Sequence, residues 1–279
     1  MNLTDADISA GNLKIIEHLN GSEPFVVGRL AGALSTAAMN FDNRRNPQVK
    51  HINELKFNDG MYHNDLDQLK EILHLYSSSF ASTDTLACFP RLCVNEQQHY
   101  LNKYKHIDVI HNRSLESFYT QSNRWTKCLK GRRVLVATSM TDSIQHQLDN
   151  KNLPTDIWHP ETNFIMYRTY NTLANNHTHS SCLETLDIMK QEISDIEFDV
   201  ALLSCGGYGM PLCDHIKRVM NRSAIYIGGC MQLLFGVLGA RWVNSEPAKT
   251  ILNGYKNFIR PLESDRIENY ERVEQGCYW

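Results

Sequence analysis

What this 279-residue sequence lacks narrows its function first. It has no apolar run near the ~18 residues that a membrane-spanning helix requires. The longest such stretch, Ile225 to Gly239, is broken by Gly229, Gln232 and Gly236, so no membrane span is expected. Nor is there an excess of one charge: 28 Lys and Arg stand against 31 Asp and Glu, a net −3. A general nucleic-acid binder carries a basic footprint, so no nucleic-acid partner is expected. The eight cysteines contain no CxxC pair, and several sit in apolar runs as small hydrophobes, which points to a reduced, cytoplasmic protein. The opening stretch has early acids and neither a basic nor an apolar leader region, so no secretory signal is expected. His177, His179 and Cys182 have no second ligand cluster at suitable spacing, and no metal site is assigned to them.

What the chain does have is an alternation of short apolar runs and helical patterns. Arg133–Ala137, Asn163–Tyr170, Phe198–Leu203 and Ser223–Ile227 read as strands. Between them, Ile144–Asn150 and Met210–Met220 read as helices, and Leu183, Leu186, Ile188, Met189, Ile193 and Ile196 recur at helical spacing. The first half repeats this more weakly: Phe25–Val27, Thr85–Phe89 and Ile107–Ile110 as strands, Ala31–Met39 and Leu66–Leu75 as helices. Strand, loop and helix in repetition predict right-handed crossovers. The expected fold is α/β, a mostly parallel Rossmann-like sheet flanked by helices and divisible into two halves. Residues 1–125 would form an N-terminal α/β half. Residues 126–279 would form a Rossmann-like half, its tail from Pro247 to Trp279 wrapping back over the body.

Candidate site residues fall where strands give way to helices. Ser204-Cys205-Gly206-Gly207-Tyr208-Gly209 could let backbone approach a diphosphate at a helix start, or be a tight turn without a ligand. It is not GxGxxG, which disfavours a nicotinamide dehydrogenase. Ser139, Thr141, Asp142 and Ser143 follow the preceding strand, where hydroxyls either cap the next helix or meet phosphate oxygens. Gln232 stands alone among apolar neighbours and reads a base or sugar edge or satisfies buried backbone. Gly28-Arg29 ends the first strand, and Arg suits bidentate capture of phosphate unless it is merely a surface side chain. Asn58-Asp59-Gly60-Met61-Tyr62-His63 reads as a turn, yet it gathers an amide, a carboxylate and an imidazole.

Several blocks together then acquire a family likeness. Phe25–Leu30, Phe57–Gly60, Trp125–Val136, the Gly206–Gly209 loop, Ile227–Gly236 with Arg241-Trp242, and Gln275–Trp279 resemble bacterial and large-DNA-virus proteins akin to GT-D-type glycosyltransferases. The likeness spans nearly the whole chain. It implies a cytoplasmic enzyme, in the host cytoplasm for a viral member. That enzyme would move a sugar, xylose in one viral member, from a UDP-sugar donor to a glycan acceptor. GT-D-type enzymes hold a divalent metal with a carboxylate pair just after the first-strand Arg. Here Arg29-Leu30-Ala31-Gly32-Ala33-Leu34 carries no acid, so the expectation is metal-independent transfer with no cofactor. Arg29 and loop N–H groups would then neutralise the diphosphate. An inverting transfer needs a carboxylate base within about 3 Å of the acceptor hydroxyl. Asp59 is the expected catalytic residue, with Asp142 and Glu116 behind it. The expected substrate-binding set is Gly28, Arg29, Asn58, His63, Arg113, Glu116, Ser139, Thr141, Asp142, Ser143, Gly206, Gly207, Tyr208, Gly209, Gly229 and Gln232. The rival readings are an S-adenosylmethionine-dependent methyltransferase on the same scaffold and a non-catalytic binding protein that lost the acids.

Overall fold

The computed structural model describes residues 4–45, 49–120, 122–243, 245 and 256–279. Among these, seven short runs pair as strands: β1 (Val26–Arg29), β2 (Thr85–Cys88), β3 (Asp108–His111), β4 (Arg133–Thr138), β5 (Asn163–Arg168), β6 (Val200–Ser204) and β7 (Ser223–Tyr226). They form one sheet in the order β3-β2-β1-β7-β6-β4-β5, with every pairing parallel. The longer helices are α1 (Asp5–Asn20), α2 (Gly32–Asp42), α3 (Val49–Asn58), α4 (Leu66–Ser78), α5 (Val94–Lys103), α6 (Thr141–Asp149), α7 (Cys182–Ser194) and α8 (Gly209–Arg218). This is the expected α/β, Rossmann-like architecture.

A parallel sheet survives only when both faces are covered, which is why its strands are apolar runs rather than alternations. The side-chain period of two sends Leu135, Ala201 and Leu203 into one core, with Leu34 of α2, Leu73 of α4, Leu186 of α7 and Leu212 of α8. It sends Val134, Val136, Val200 and Leu202 into the other, with Ile15 of α1, Trp125, Ile144 of α6 and Phe235. The first half of the chain supplies β1 to β3 and the second supplies β4 to β7. They are joined by the β1–β7 pairing at Val26↔Ala224 and Val27↔Ile225.

Chain direction reverses across the sheet. From β4 the chain goes outward to β5, then returns past β4 to β6 and β7. Open α/β sheets place ligands at the carboxyl ends of strands beside such reversals. The segment expected to turn into a free loop at Asn58 begins instead as the last residue of α3. Of the expected tail, residues 247–255 lie outside the described residues. Ile259 bridges to Val237, and the Ala240 N–H donates to the Trp279 carbonyl at 3.1 Å, holding the rest against the segment that follows β7.

Candidate functional site

A cavity of about 540 Å³ opens at the carboxyl edge of the sheet. Its walls come from the residues that follow six strands: Arg29 to Ala33 after β1, Phe89 and Cys93 after β2, and Ser139 after β4. Thr169 to Leu173 follow β5, Gly206 follows β6, and Gly228 and Gly229 follow β7. Asn58 and Asp59 close one side, and Arg241, Glu274 and Tyr278 close another. Because β4 and β6 are neighbours, with Thr138 opposite Ser204, the Ser139 and Gly206 corners share this space.

Arg29 is the cation of the cavity floor. Its Nη1 donates to the Ile227 carbonyl at 2.6 Å, and its guanidinium lies 5.2 Å from the centre of the Phe89 ring. Gly228 (φ +67°) passes so close that a Cβ there would sit 2.9 Å from Arg29 Nη1. Thus the side chain is oriented by backbone and ring, and it forms no ion pair among the described residues. The other guanidinium on the wall, Arg241, is already neutralised by Glu274 and lies 4.9 Å from the Tyr278 ring centre. Only Arg29 of these two has no salt bridge among the described residues, although its charge also acts on the Glu116 carboxyl behind the wall, and a partly desolvated guanidinium of this kind is suited to an anionic oxygen.

Asp59 is the acid. It is only 5% exposed, and its Oδ2 accepts the Leu34 N–H at 2.8 Å, so it caps the start of α2 from elsewhere in the chain. Burial pushes its pKa up to about 7, reinforced by the neighbouring Glu274 and Glu54 charges and opposed by the α2 N–H groups. A carboxyl poised there exchanges a proton near neutral pH. A buried carboxyl from just beyond α3 therefore stands beside the acid-free stretch after Arg29: Asp59 Oδ1 lies 3.4 Å from where a Gly32 Cβ would stand.

The two glycine- and hydroxyl-rich corners behave differently from their sequence reading. At the start of α6, the N–H groups of Asp142 and Ser143 donate to the Asp265 carboxylate at 3.2 and 2.7 Å, and Ser143 Oγ accepts from Leu262 N–H. Those donors are spent inside the protein, and Thr141, Asp142 and Ser143 do not line the cavity; Ser139 does. Asp142 pairs with Arg168, and its carboxyl is held below the usual range by the Ser264 hydroxyl and then by Arg168, which makes it a weak base. In the other corner, the Gly207 N–H donates to the Asp59 carbonyl at 2.8 Å. Gly207 and Gly209 face protein instead of the cavity: a Cβ would strike Met61 and Leu34 at the first and the Tyr226 ring at the second. Gly206 and Tyr208 do line it, with Gly206 held at φ +56° and its carbonyl accepting the Tyr226 hydroxyl at 2.7 Å.

The remaining candidates divide in the same way. Asn58, Gly229 and Gln232 line the cavity. Asn58 Oδ1 is buried without a hydrogen-bond partner, whereas Gln232 Nε2 donates to the carbonyls of Tyr278 and Val237 at 3.0 and 3.4 Å. Gly28 packs against Met210 and lies off the cavity. So does His63, whose imidazole is shifted down by burial. Arg113 stacks 4.6 Å from the Tyr119 ring centre. Glu116 sits off the cavity wall as well, its carboxyl pushed up by burial and pulled back by Arg29, Arg113 and Arg241. Sequence reasoning missed Phe89, Thr169, Asn171, Arg241, Glu274 and Tyr278 as wall residues. Asn171 follows the expected strand Asn163–Tyr170, so the rule applied at Ser139 would have found it, whereas Phe89 and Thr169 fell inside expected strands that end one and two residues earlier in the structure.

Comparison with known proteins agrees with the fold. No curated protein and no solved structure matches the chain. A family model described as the GT-D fold-like domain matches residues 88–234, which is more than half of the sequence and covers the elements from the end of β2 through β7. The chain belongs to the GT-D-like family.

Proposed function

We propose that the protein is a glycosyltransferase that moves a sugar from a UDP-sugar to a hydroxyl of a glycan, in the cytoplasm and without a metal ion. Xylose is the sugar that the family likeness suggests. The observation that carries the reading is Arg29, a guanidinium with no salt bridge among the described residues, set in a cavity at the carboxyl edge of a parallel sheet in a GT-D-like chain. In this reading the diphosphate lies against Arg29, near Ser139, Gly206 and Gly229. As the acceptor oxygen bonds to the sugar C1, the bond from C1 to the diphosphate oxygen breaks and the electron pair leaves with UDP. The acceptor proton passes to Asp59, and the charge that develops on the leaving group meets Arg29.

The GT-D-type metal fits the residues poorly. Among the described residues no group of three His, Cys, Asp or Glu side chains is gathered to hold an ion. Asp59 directs Oδ2 to the Leu34 N–H, and burial favours its protonated form below about pH 7. No step is therefore routed through a metal.

A thermal-melt series tests the reading. UDP-sugars at millimolar concentration are expected to raise the melting temperature by about 2 °C or more, with S-adenosylmethionine inert. Stabilisation by S-adenosylmethionine alone would favour the methyltransferase reading, and no response to any nucleotide would favour a non-catalytic protein. Transfer activity is expected to survive dialysis against EDTA; loss with recovery on adding manganese would overturn metal independence.

A further inference from the structure

Beside the main cavity lies a second hollow of about 470 Å³, between the end of β5, α7 and the segment Ser264–Ile267. Ser139, Thr169, Tyr170 and Asn171 line both spaces, so the two adjoin along one wall. Their chemistry differs. The charged side chains of the second groove balance, Arg168 and Arg266 against Glu192 and Asp265. Arg168 pairs with Asp142 and Asp265, and Arg266 pairs with Glu263, so no guanidinium here is left for a phosphate. What remains is neutral and polar.

Two features of that lining point to a ligand rich in hydroxyls. Thr169 is 3% exposed, and its Oγ1 has no hydrogen-bond partner although it stands on the wall common to both spaces. A buried hydroxyl left unpaired is unfavourable, so a ligand that reaches it supplies a hydrogen bond the described residues do not. Glu192 accepts the Tyr167 hydroxyl at 2.6 Å and the Tyr170 hydroxyl at 3.0 Å. A carboxylate has roughly four acceptor positions, so about two stay open, and Glu192 lines the groove. Hydroxyl donors fill them well, whereas an anion would be repelled.

We propose that this groove holds the acceptor sugar, with the Glu192 carboxylate reading its hydroxyls and Thr169 meeting it at the junction with the donor cavity. The inference rests on the glycosyltransferase reading above. It explains why the two spaces meet at Ser139 and Thr169: the attacking hydroxyl must reach the donor sugar from a site that does not bind diphosphate.

The test uses the intact chain saturated with UDP and a panel of p-nitrophenyl xyloside, glucoside, galactoside and mannoside, followed by saturation-transfer NMR. At least one sugar ring is expected to show transfer in the wild type. Glu192→Gln is expected to reduce that signal at least fivefold, and Ser264→Trp, at the exposed rim, to do the same by filling the groove. Neither residue lines the donor cavity, so the dissociation constant for UDP should stay within twofold. Transfer that persists in both variants, or none from any sugar in the wild type, would overturn the groove. Sugar signals that depend on Glu192 in a protein that does not bind UDP would uphold the groove and overturn the donor reading instead.

Discussion

Two helices that begin beside the same cavity receive a carboxylate from a distant part of the chain. At α6 the carboxylate is Asp265, which accepts two N–H groups and pairs with Arg168 at 3.2 Å. At α2 it is Asp59, which accepts the Leu34 N–H but forms no ion pair among the described residues and has two further acids, Glu54 and Glu274, as charged neighbours. The device is the same, an anion at the positive end of a helix. The consequences differ because only one of the two has its charge compensated. Asp265 is thereby committed to holding the 263–279 segment onto α6, while Asp59 is left poised near neutrality on a cavity wall. A helix cap becomes a candidate base when its countercharge is withheld.

Exchanging each acid for its amide should separate the two roles. Asp59→Asn is expected to lower turnover by about 10²-fold or more with donor affinity little changed, as steady-state kinetics would show. Arg29→Gln removes the guanidinium charge and should weaken UDP binding by about 10-fold or more, read by calorimetry. Asp265→Asn, at a residue that also lines the proposed acceptor groove, should leave turnover at saturating donor and acceptor within a few-fold but destabilise the fold by about 1–3 kcal/mol, because Arg168 and two N–H groups lose a charged partner. If Asp265→Asn proved the more damaging to turnover, the contrast would be reversed. A smaller effect tests the corner between them: Gly206→Ala forces a Cβ at φ +56° to within 2.9 Å of the Asp59 carbonyl and should cost about 1–2 kcal/mol in chemical denaturation.

Stability should carry the same signature. The folded pKa of Asp59, about 7, lies above its ordinary 3.8, so between these values the folded state holds a proton that the unfolded state has lost. The contribution of Asp59 to stability therefore falls as pH rises from about 4 to 7 and is flat beyond. Asp59→Asn lacks this loss, so its melting temperature relative to wild type should climb across that window. An unchanging difference would place the titration elsewhere.

The strands and their carboxyl-end loops were legible in the sequence because a parallel sheet buried on both faces writes itself as uninterrupted apolar runs, such as Val134–Ala137 and Val200–Leu203. Helices α1, α3 and α5 escaped, since their apolar positions are sparse among polar ones and each needs a tertiary partner to hold it. The corners at Ser139 and Gly206 were placed correctly side by side. What sequence spacing could not reveal was occupancy: that Asp265, more than a hundred residues away, would consume the α6 donors, or that the Asp59 carbonyl would take Gly207 N–H. Glycines at 207 and 209 looked like room for a ligand and turned out to be room for Met61, Leu34 and the Tyr226 ring. Asp59 was expected as the base from its sequence motif, but its place beside the acid-free stretch after Arg29 could not be read there, because it arrives from the end of another helix.

The most direct measurement is the pH dependence of turnover at saturating donor and acceptor, wild type beside Asp265→Asn. The account predicts that both rise to a plateau with a midpoint near pH 7, because the base that titrates is Asp59 and not the acid that caps α6. A wild-type profile flat from about pH 5.5 to 8.5, or a midpoint that vanishes with Asp265, would contradict it.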